Sequence, residues 1–266
     1  MSDPCKGEPA ARPSWAATAA ATVCGNFFLV VGSAVFAALS LLVAWIPPRR
    51  HWVFYCARWW ARGVLFTSGV RLAVSHEDDR GETPVIYMAN HQSLFDIPAL
   101  LASLPGQTRM LAKRSLFRIP VFGWALKAGG FIAIDREDRS KASHSFASAV
   151  ERLQSGISAL VFPEGTRSAT GELAALQRGG FLLALKAGLP IVPVGIEASR
   201  TIRRKGEWVI RPRTLSVRYG RRVDPAAFGL REKRGLVRTV RAEIARLARC
   251  DLEEGRPSAV GGPAEP

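Results

Sequence analysis

A long uncharged stretch near the amino end constrains the fold of this 266-residue chain more than any other feature. No charged side chain occurs from Pro13 to Pro48, and the sequence from Phe27 to Ile46 is nearly continuously apolar. Twenty residues of α-helix extend about 30 Å, the thickness of the hydrocarbon core of a bilayer. We therefore predict a membrane anchor helix from about Trp15 to Trp45, ended by Pro47-Pro48.

The residues that flank this stretch bear on how it is used. A cleaved signal peptide is the competing interpretation, but the apolar run is too long for one, and the charges that precede it balance. Arg49 and Arg50 follow the run, and by the positive-inside tendency they mark its cytoplasmic end. We therefore expect a membrane protein whose catalytic domain lies on the cytoplasmic face.

Residues 52–69 predict a second helix of a different character. Its Trp, Tyr and Phe side chains are interleaved with Arg58 and Arg62. Aromatic rings mixed with arginine suit the headgroup boundary of a membrane, and an ordinary helix packed on a core is the alternative. We predict that residues 15–69 form a membrane anchor and interfacial helix, and that residues 1–14 are disordered. Whether the anchor spans the bilayer or enters one leaflet stays open.

From about residue 70 onward, short apolar runs alternate with longer helical patterns. Candidate strands cover 84–89, 108–112, 130–134, 157–162, 190–195 and 214–219. Candidate helices cover 95–103, 120–128, 139–155, 178–187 and 231–248. This alternation predicts an α/β fold with a mostly parallel sheet that is covered by flanking helices. We assign residues 70–250 to this domain, and we predict a disordered tail at 251–266 from its Gly, Pro, Glu and Ala content.

A histidine and an aspartate follow the first candidate strand. They stand in the sequence Asn90-His91-Gln92-Ser93-Leu94-Phe95-Asp96, where a turn can place the carboxylate beside the imidazole. A carboxylate bonded to one ring nitrogen fixes the tautomer, so the other nitrogen is left to accept a proton. His91 is therefore a candidate general base held by Asp96. Two unrelated surface residues are the alternative for an isolated pair.

A second motif, Phe162-Pro163-Glu164-Gly165-Thr166-Arg167-Ser168, follows the candidate strand at 157–162. Together the two motifs resemble the glycerolipid acyltransferase family, whose best-known members are the 1-acyl-sn-glycerol-3-phosphate acyltransferases. The first family block, N-H-x-x-x-x-D, is met by Asn90, His91 and Asp96, and the third block, F-P-E-G-T-R-S, is met at every position. The resemblance covers roughly residues 55 to 220.

The resemblance implies roles for the residues of the third block. In the family this block is assigned to binding the acceptor phosphate, which points to Glu164, Gly165, Thr166 and Arg167. A guanidinium binds phosphate oxygens through two parallel hydrogen bonds, so Arg167 is the first candidate for that contact. A carboxylate would repel the phosphate, so we expect Glu164 to hold Arg167 or the glycerol hydroxyls. A tight turn with a helix cap is the structural alternative for this motif.

Two weaker blocks complete the resemblance. The second block is met by Lys113, Pro120, Gly123 and Arg136. We expect its two cations at the rim of the site as substrate-binding residues, with ordinary surface charge as the alternative. The fourth block is the apolar run at 191–195, for which we expect either a place in the core or a wall for the acyl chain.

One departure from the family pattern concerns the acceptor. Many members carry F-K-x-G after the third block, where this chain has Leu176-Gln177-Arg178-Gly179. Arg178 can replace the cation one position later, which makes it a further candidate for substrate binding. The departure leaves a second acceptor open, because acyltransferases for other lysolipids, such as lyso-ornithine lipid, share the same blocks.

Motifs that are missing narrow the reaction. The sequence contains no G-x-S-x-G, H-E-x-x-H or G-x-x-x-x-G-K-[ST], so nothing signals a serine hydrolase, a zinc peptidase or a P-loop enzyme. A His–Asp base without a protein nucleophile suits direct transfer, in which an acceptor hydroxyl deprotonated by His91 attacks an acyl thioester. Backbone N–H groups around Gly165 are candidate donors to the developing oxyanion.

We therefore expect a membrane-bound acyltransferase. It would move an acyl chain from acyl-CoA or acyl-carrier protein to the sn-2 hydroxyl of lysophosphatidic acid and form phosphatidic acid, with no metal and no cofactor. The same chemistry on another lysolipid is one alternative. A non-enzymatic lipid-binding membrane protein is another, and the complete His–Asp pair argues against it.

The distribution of charge suggests a further partner. The chain carries a net charge of +15, and sixteen of its 37 Lys and Arg residues lie between residues 200 and 249, against four of its 22 acidic residues. No recognised nucleic-acid motif accompanies this charge, so with an anchor present we expect attraction to anionic lipid headgroups, and a solvated surface is the alternative. Four scattered cysteines predict neither a zinc site nor a disulfide framework.

Overall fold

The structure is a computed structural model that describes residues 13–78, 84–134, 139–228 and 232–250. The side chains of Arg49 and of residues 139–145 are not among those described. The disorder predicted for residues 1–14 and 251–266 therefore falls almost entirely outside the described residues and stays a prediction.

Seven strands form one sheet, in the order β1-β7-β6-β2-β5-β3-β4. The strands are β1 (Arg71–His76), β2 (Ile86–Ala89), β3 (Thr108–Lys113), β4 (Ile132–Ile134), β5 (Ser158–Val161), β6 (Ile191–Glu197) and β7 (Thr214–Tyr219). Neighbouring strands are parallel throughout, except that β6 and β7 are antiparallel. The mostly parallel α/β sheet is thus confirmed, and it includes an edge strand, β1, that the sequence pattern did not predict.

The helices alternate with these strands along the chain. They are α1 (Trp15–Phe27), α2 (Ser33–Val43), α3 (Arg49–Thr67), α4 (Asp96–Ser103), α5 (Phe122–Ala128), α6 (Arg139–Gln154), α7 (Arg178–Ala187), α8 (Ser199–Ile202) and α9 (Lys233–Ala248). Short 3₁₀ segments at Arg114–Arg118 and Pro225–Phe228 complete the described elements. The five helices predicted in the α/β domain correspond to α4, α5, α6, α7 and α9, with boundaries that differ by a few residues.

Alternate residues of the central strands pack on opposite faces of the sheet. In β2, Tyr87 and Ala89 belong to the apolar core shared with α3 and α4, whereas Ile86 and Met88 belong to the core shared with α7 and α9. All four residues of β2 are buried. Because side chains alternate along a strand, a strand that is apolar on both sides must be covered on both faces.

The amino-terminal helices form a hairpin on the first of these faces. A π-helical segment, Phe28–Gly32, joins α1 and α2 into one helix, Trp15–Val43, which is long and apolar enough by length and composition to cross a membrane. This helix packs against α3, where the ring of Phe28 lies over Gly63. A Cβ atom at position 63 would stand 2.3 Å from that ring, so any other residue there would have to displace the Phe28 side chain.

The outer surface of this hairpin, α1 to α3, is apolar. Its most exposed large side chains include Trp15, Phe27, Leu42, Trp45 and Phe66. The inner side of α3 is buried, which agrees with the alternative interpretation of residues 52–69 as a helix packed on a core. On its outer side, Trp52, Tyr55 and Trp59 are exposed. The helix therefore packs on the domain and also presents the aromatic surface expected of an interfacial helix.

The opposite face of the sheet is covered by α6, α7 and α9. The apolar residues of α9 are buried, while Arg234 and Arg238 are exposed on its outer side. At Gly195 in β6, a Cβ atom would stand 2.2 Å from the backbone nitrogen of Ala248, so α9 ends directly against the strand. The fourth sequence block, 191–195, is buried, which places it in the core. The basic residues of 200–249 are thus divided between both sides of the sheet, and the expected attraction to anionic lipid headgroups stays a prediction.

Candidate active site

The two sequence motifs meet at one edge of the sheet. Strands β2 and β5 are parallel neighbours, so the loops that follow Ala89 and Val161 leave the sheet side by side. Strands β3 and β6 are also parallel to them and end at the same edge. Substrates of open parallel sheets bind outside the carboxyl ends of the strands, which is where these loops lie.

His91 and Asp96 form the pair that their spacing predicted. Nδ1 of His91 lies 2.8 Å from Oδ2 of Asp96. The Asp96 side chain is fully buried, whereas 15% of the His91 side chain is exposed. With Nδ1 bonded to the carboxylate, Nδ1 carries the proton and Nε2 is the atom available to a substrate. No hydrogen bond engages Nε2 within the described residues.

Asp96 is held in place by the start of a helix. It is the first residue of α4, and its Oδ2 also accepts hydrogen bonds from the backbone nitrogens of Gln92 at 2.7 Å and Ser93 at 2.8 Å. The partial positive charge at a helix amino end favours a carboxylate in the first turn. Three donors converge on one oxygen, so the carboxylate is fixed and the imidazole is fixed with it.

The rest of this loop is equally constrained. The side-chain amide of Asn90 pairs with the backbone of Ile196, donating to its oxygen at 2.9 Å and accepting from its nitrogen at 2.7 Å. Gln92 donates to the oxygen of Gly171 at 2.6 Å. The ring of Phe162 stacks on His91 with centroids 4.0 Å apart. Residue Asn90 of the motif thus ties the loop to β6, and the first residue of the second motif supports the imidazole.

Glu164 joins the two loops. Its Oε1 accepts from the backbone nitrogen of His91 at 2.6 Å, and its Oε2 accepts from the nitrogen of Ala174 at 3.1 Å. The nitrogen of Ser168 donates to the oxygen of His91 at 2.8 Å, which adds a second link. Glu164 is buried. Through these bonds the Glu164 carboxylate fixes the backbone at His91 and Ala174. We had expected it to contact Arg167 or the glycerol hydroxyls, and this positioning role was not part of that expectation.

The turn after Glu164 presents its remaining residues outward. Gly165 has φ of +79°, a conformation that glycine adopts without strain, and its nitrogen donates to Phe162 oxygen at 3.1 Å. Thr166 is exposed and Arg167 is half-buried. Within the described residues, the backbone nitrogens of Thr166 and Arg167 donate to no protein acceptor and the Arg167 guanidinium has no hydrogen bond. The tight turn is therefore present, but the helix cap is not, because no helix begins until Arg178.

The other predicted cations lie at the same edge or outside the described residues. Lys113 is the exposed last residue of β3, next to β5. Arg178 is the exposed first residue of α7, and the preceding residue, Gln177, bonds to Pro163 oxygen through its backbone nitrogen at 2.8 Å. Arg136 lies outside the described residues. Substrate binding by these three residues stays a prediction.

Sequence reasoning did not single out Arg203, which lies in the loop after α8. Its backbone oxygen accepts from Oγ of Ser93 at 2.8 Å, so it touches the His–Asp loop. Its Nη1 donates to Oδ1 of Asn26 at 3.0 Å, and its guanidinium lies over the ring of Trp208. Burial, and then the charge of Arg167, lower the pKa of Arg203. Two cations that repel each other at the site form an environment that an anion would stabilise.

An apolar cavity of about 440 Å³ lies between the hairpin and the sheet. Its lining includes two residues near the catalytic loop, Leu94 and Arg203. The large apolar side chains that line it include those of Phe36, Trp60, Leu126 and Phe131. Cavities of this size that are apolar with a few polar groups are typical of small-molecule sites. Among the described residues, no group of three or more His, Cys, Asp or Glu side chains is placed to hold a metal ion.

Comparisons with known proteins show the family of this chain. Residues 71–197 match the family model described as Acyltransferase. A 1-acyl-sn-glycerol-3-phosphate acyltransferase of Pseudomonas aeruginosa is 32% identical over 201 residues, which cover 73% of this chain and 77% of that protein. A chloroplastic enzyme of the same description from Arabidopsis thaliana is also 32% identical, over 64% of this chain. This chain spans about half the length of that relative.

A solved structure shows the same fold over nearly its whole length. The 1-acyl-sn-glycerophosphate acyltransferase PlsC from Thermotoga maritima superposes with a TM-score of 0.73 and 25% sequence identity, covering 86% of this chain and 95% of that one. The fold and site thus define an acyltransferase. More particularly, the chain belongs to the glycerolipid acyltransferase family, in the group of 1-acyl-sn-glycerol-3-phosphate acyltransferases.

Proposed function

We propose that this protein transfers an acyl chain from a thioester donor to the sn-2 hydroxyl of lysophosphatidic acid, forming phosphatidic acid. One observation carries the proposal. A buried carboxylate fixes His91, 2.8 Å away, and leaves its second nitrogen without a hydrogen bond among the described residues, while Arg167 directly precedes Ser168, whose backbone nitrogen donates to the oxygen of His91 at 2.8 Å. A base beside an unpaired cation suits an acceptor that combines a hydroxyl with a phosphate.

The reaction begins with proton removal by His91. Nε2 takes the proton of the acceptor hydroxyl as its oxygen attacks the thioester carbonyl, and Asp96 stabilises the imidazolium that forms. Collapse of the tetrahedral intermediate breaks the carbon–sulfur bond. The thiolate leaves and takes the proton back from His91, so the enzyme returns to its starting state.

The reaction needs negative charge to be stabilised at two places, and the turn after β5 supplies hydrogen-bond donors for both. The backbone nitrogens of Thr166 and Arg167, which donate to no acceptor among the described residues, serve the oxyanion of the intermediate. The guanidinium of Arg167 binds the acceptor phosphate, with Arg203 adding positive potential from the neighbouring loop. Glu164 keeps this turn in register with His91 through its two backbone contacts.

The apolar regions supply the lipid environment. The cavity that begins at Leu94 takes an acyl chain, since its walls are almost entirely hydrocarbon. The hairpin, with its exposed apolar outer surface, holds the protein on the cytoplasmic side of the membrane from which the lipid acceptor enters. Acyl-CoA and acyl-carrier protein are both donors of the required thioester.

The test is an acceptor panel. Purified full-length protein is given one isotopically labelled acyl-CoA, or the same chain on carrier protein, with lysophosphatidic acid, zwitterionic lysolipids and lyso-ornithine lipid in separate reactions. We expect mass spectrometry to find labelled phosphatidic acid with the wild type and at least about a hundredfold less of it with His91→Ala over the same time. The departure at Gln177-Arg178 makes lyso-ornithine lipid the specific competitor, and its preferential acylation would replace the proposed acceptor while keeping the chemistry.

A further inference from the structure

Three arginines converge at the edge of the sheet opposite the His91 loop. Arg109 is the second residue of β3, Arg152 lies in the last turn of α6 before β5, and Arg50 lies in the first turn of α3. The point where a Cβ atom of Gly130 would sit is 2.8 Å from Nη2 of Arg152, 3.5 Å from Nε of Arg109 and 3.5 Å from Cδ of Arg50. We call these three residues the arginine cluster.

Within the described residues, the hydrogen bonds of the arginine cluster are all with neutral groups. Arg109 donates from Nη2 to the oxygen of Arg50 at 3.3 Å and to Oε1 of Gln107 at 2.8 Å, and Arg152 donates to the oxygen of Gly130. Arg109 is only 2% exposed, and its Nε has no hydrogen-bond partner. No ion pair to any of the three arginines occurs within the described residues.

Burial and neighbouring positive charges both act on the pKa of two of these arginines. Burial, and then the charges of Arg50 and Arg152, lower the pKa of Arg109 to about 10. Burial, and then Arg50, lower the pKa of Arg152 in the same direction. Charges at such close range in a partly buried place repel strongly unless an opposite charge is present. Arg50 is exposed and Arg152 is half-buried, so an anion from outside can reach these two while Arg109 adds its charge from behind.

The position of the arginine cluster points to the source of that anion. Arg50 follows the tip of the hairpin, where Trp45 is 89% and Ile46 is 54% exposed. Trp52, two residues beyond Arg50, is exposed as well. Aromatic and apolar side chains beside arginine are typical of the headgroup level of a membrane. The cluster and Lys113 stand at opposite ends of β3, about 13 Å apart at 3.3 Å per residue, so the cluster is separate from the catalytic loops.

We propose that the arginine cluster binds the phosphate group of an anionic membrane phospholipid, as a second lipid site distinct from the catalytic one. Guanidinium groups bind phosphate oxygens through paired, charge-assisted hydrogen bonds. Three positive charges around one phosphate favour a lipid with a net negative charge over a zwitterionic one. The proposal rests on the placement of the hairpin in the membrane and does not depend on the acyl-transfer reaction.

The experiment uses full-length protein in zwitterionic detergent micelles that contain phosphatidylglycerol or phosphatidylcholine, because neither lipid is the acceptor or the product. Native mass spectrometry measures how much of each lipid the protein retains. The test variant is the double substitution Arg50→Gln and Arg152→Gln, which spares the buried Arg109. The matched control is Arg234→Gln with Arg238→Gln, which removes two exposed charges from α9 on the other face of the sheet.

We expect the wild type to retain phosphatidylglycerol in preference to phosphatidylcholine. The test variant should lose that preference, with affinity for phosphatidylglycerol lower by about 30-fold, since each arginine near an anionic lipid contributes about 1 kcal/mol and 1.4 kcal/mol is tenfold. The control should behave as wild type, and thermal unfolding should show that both variants are folded. Equal retention of phosphatidylglycerol by the test variant and the wild type would overturn the proposal.

Two further arms separate the lipid from soluble phosphates. Inorganic phosphate or CoA, whose ribose carries a 3′-phosphate, is added to the wild-type complex with phosphatidylglycerol. We expect neither to displace the lipid at millimolar concentration. Displacement of phosphatidylglycerol from the wild type would show that the cluster binds a soluble phosphate instead, and would reject the membrane lipid as its occupant.

Discussion

The two loops at the catalytic edge of the sheet use their polar groups in opposite ways. In the loop after β2, Asn90, Gln92 and Asp96 are buried and bonded to protein, and Oδ2 of Asp96 alone takes three donors. In the turn after β5, Thr166 and Arg167 point outward, and within the described residues their backbone nitrogens have no acceptor. The first loop is built to hold one imidazole still, and the second to present donors to something that is not protein.

Because the two loops differ in this way, substitutions in them should change different kinetic constants. A group that acts on the reacting atoms lowers kcat when it is removed, whereas a group that only binds the substrate raises KM. Substitutions in the first loop should therefore act on kcat and those in the second on the KM of the acceptor. Glu164, which bonds to both loops through backbone nitrogens, is where the two effects should mix.

The largest effect should come from His91→Ala. Loss of a general base typically lowers the rate by about 10² to 10⁴. We expect kcat for acyl transfer to fall within that range while thermal unfolding and membrane association are unchanged. His51→Ala, an exposed histidine on α3, is the matched control and should keep wild-type activity. Near-normal turnover by His91→Ala would show that the base lies elsewhere.

Asp96→Asn should be impaired less than His91→Ala. Three donors point at Oδ2, whereas Oδ1 has no partner, so the new amide should place its oxygen at the Oδ2 position and keep the imidazole oriented. What is lost is the negative charge that strengthens those bonds, worth about 1 to 1.5 kcal/mol, or roughly tenfold in kcat. A loss as large as that of His91→Ala would mean that the amide NH₂ faces the ring instead.

The sequence predicted which residues of these loops are functional much better than it predicted the hydrogen bonds that hold the loops in place. His91 and Asp96 could be identified from their spacing after an apolar run, and Arg167 from the resemblance of its motif to the third block of the family. Adjacent parallel strands then bring the two loops together. The bonds of Asn90 to Ile196 and of Glu164 to His91 and Ala174 could not, because each joins a side chain to a backbone group in another loop or strand. Nothing in a residue's type indicates which distant main chain it will reach.

The elements that the sequence did not predict share a different cause. Strand β1 lies at the edge of the sheet and is largely exposed, so it lacks the apolar run by which β2 and β6 were recognised. Arg203 lies in a loop with no motif, and only the packing of the hairpin shows that Asn26 holds it beside the catalytic loop. The hairpin itself was predicted as an anchor apart from the domain, whereas it covers the sheet and encloses the apolar cavity.

The next effect in size tests the second loop. Arg167→Ala should raise the KM of lysophosphatidic acid by about tenfold or more, because a charged hydrogen bond contributes roughly 1.5 to 3 kcal/mol. The KM of the acyl donor should change little. Arg167→Lys should recover part of the loss, since it restores the charge without the paired geometry. If only the donor KM rises in Arg167→Ala, the turn serves the CoA end of the donor and the acceptor phosphate binds elsewhere.

The smallest effect should come from Arg178→Ala, which sharpens the comparison within the second loop. Arg178 is exposed at the start of α7, whereas Arg167 is half-buried and its charge influences Arg203. An exposed ion contact is worth about 0.2 to 1 kcal/mol, which corresponds to a rise of at most about fivefold in acceptor KM. Steady-state kinetics at two salt concentrations tests this, because screening should weaken the contribution of Arg178 more than that of Arg167. An effect of Arg178→Ala equal to that of Arg167→Ala, and insensitive to salt, would place both cations on the same phosphate and would extend the acceptor site to the start of α7.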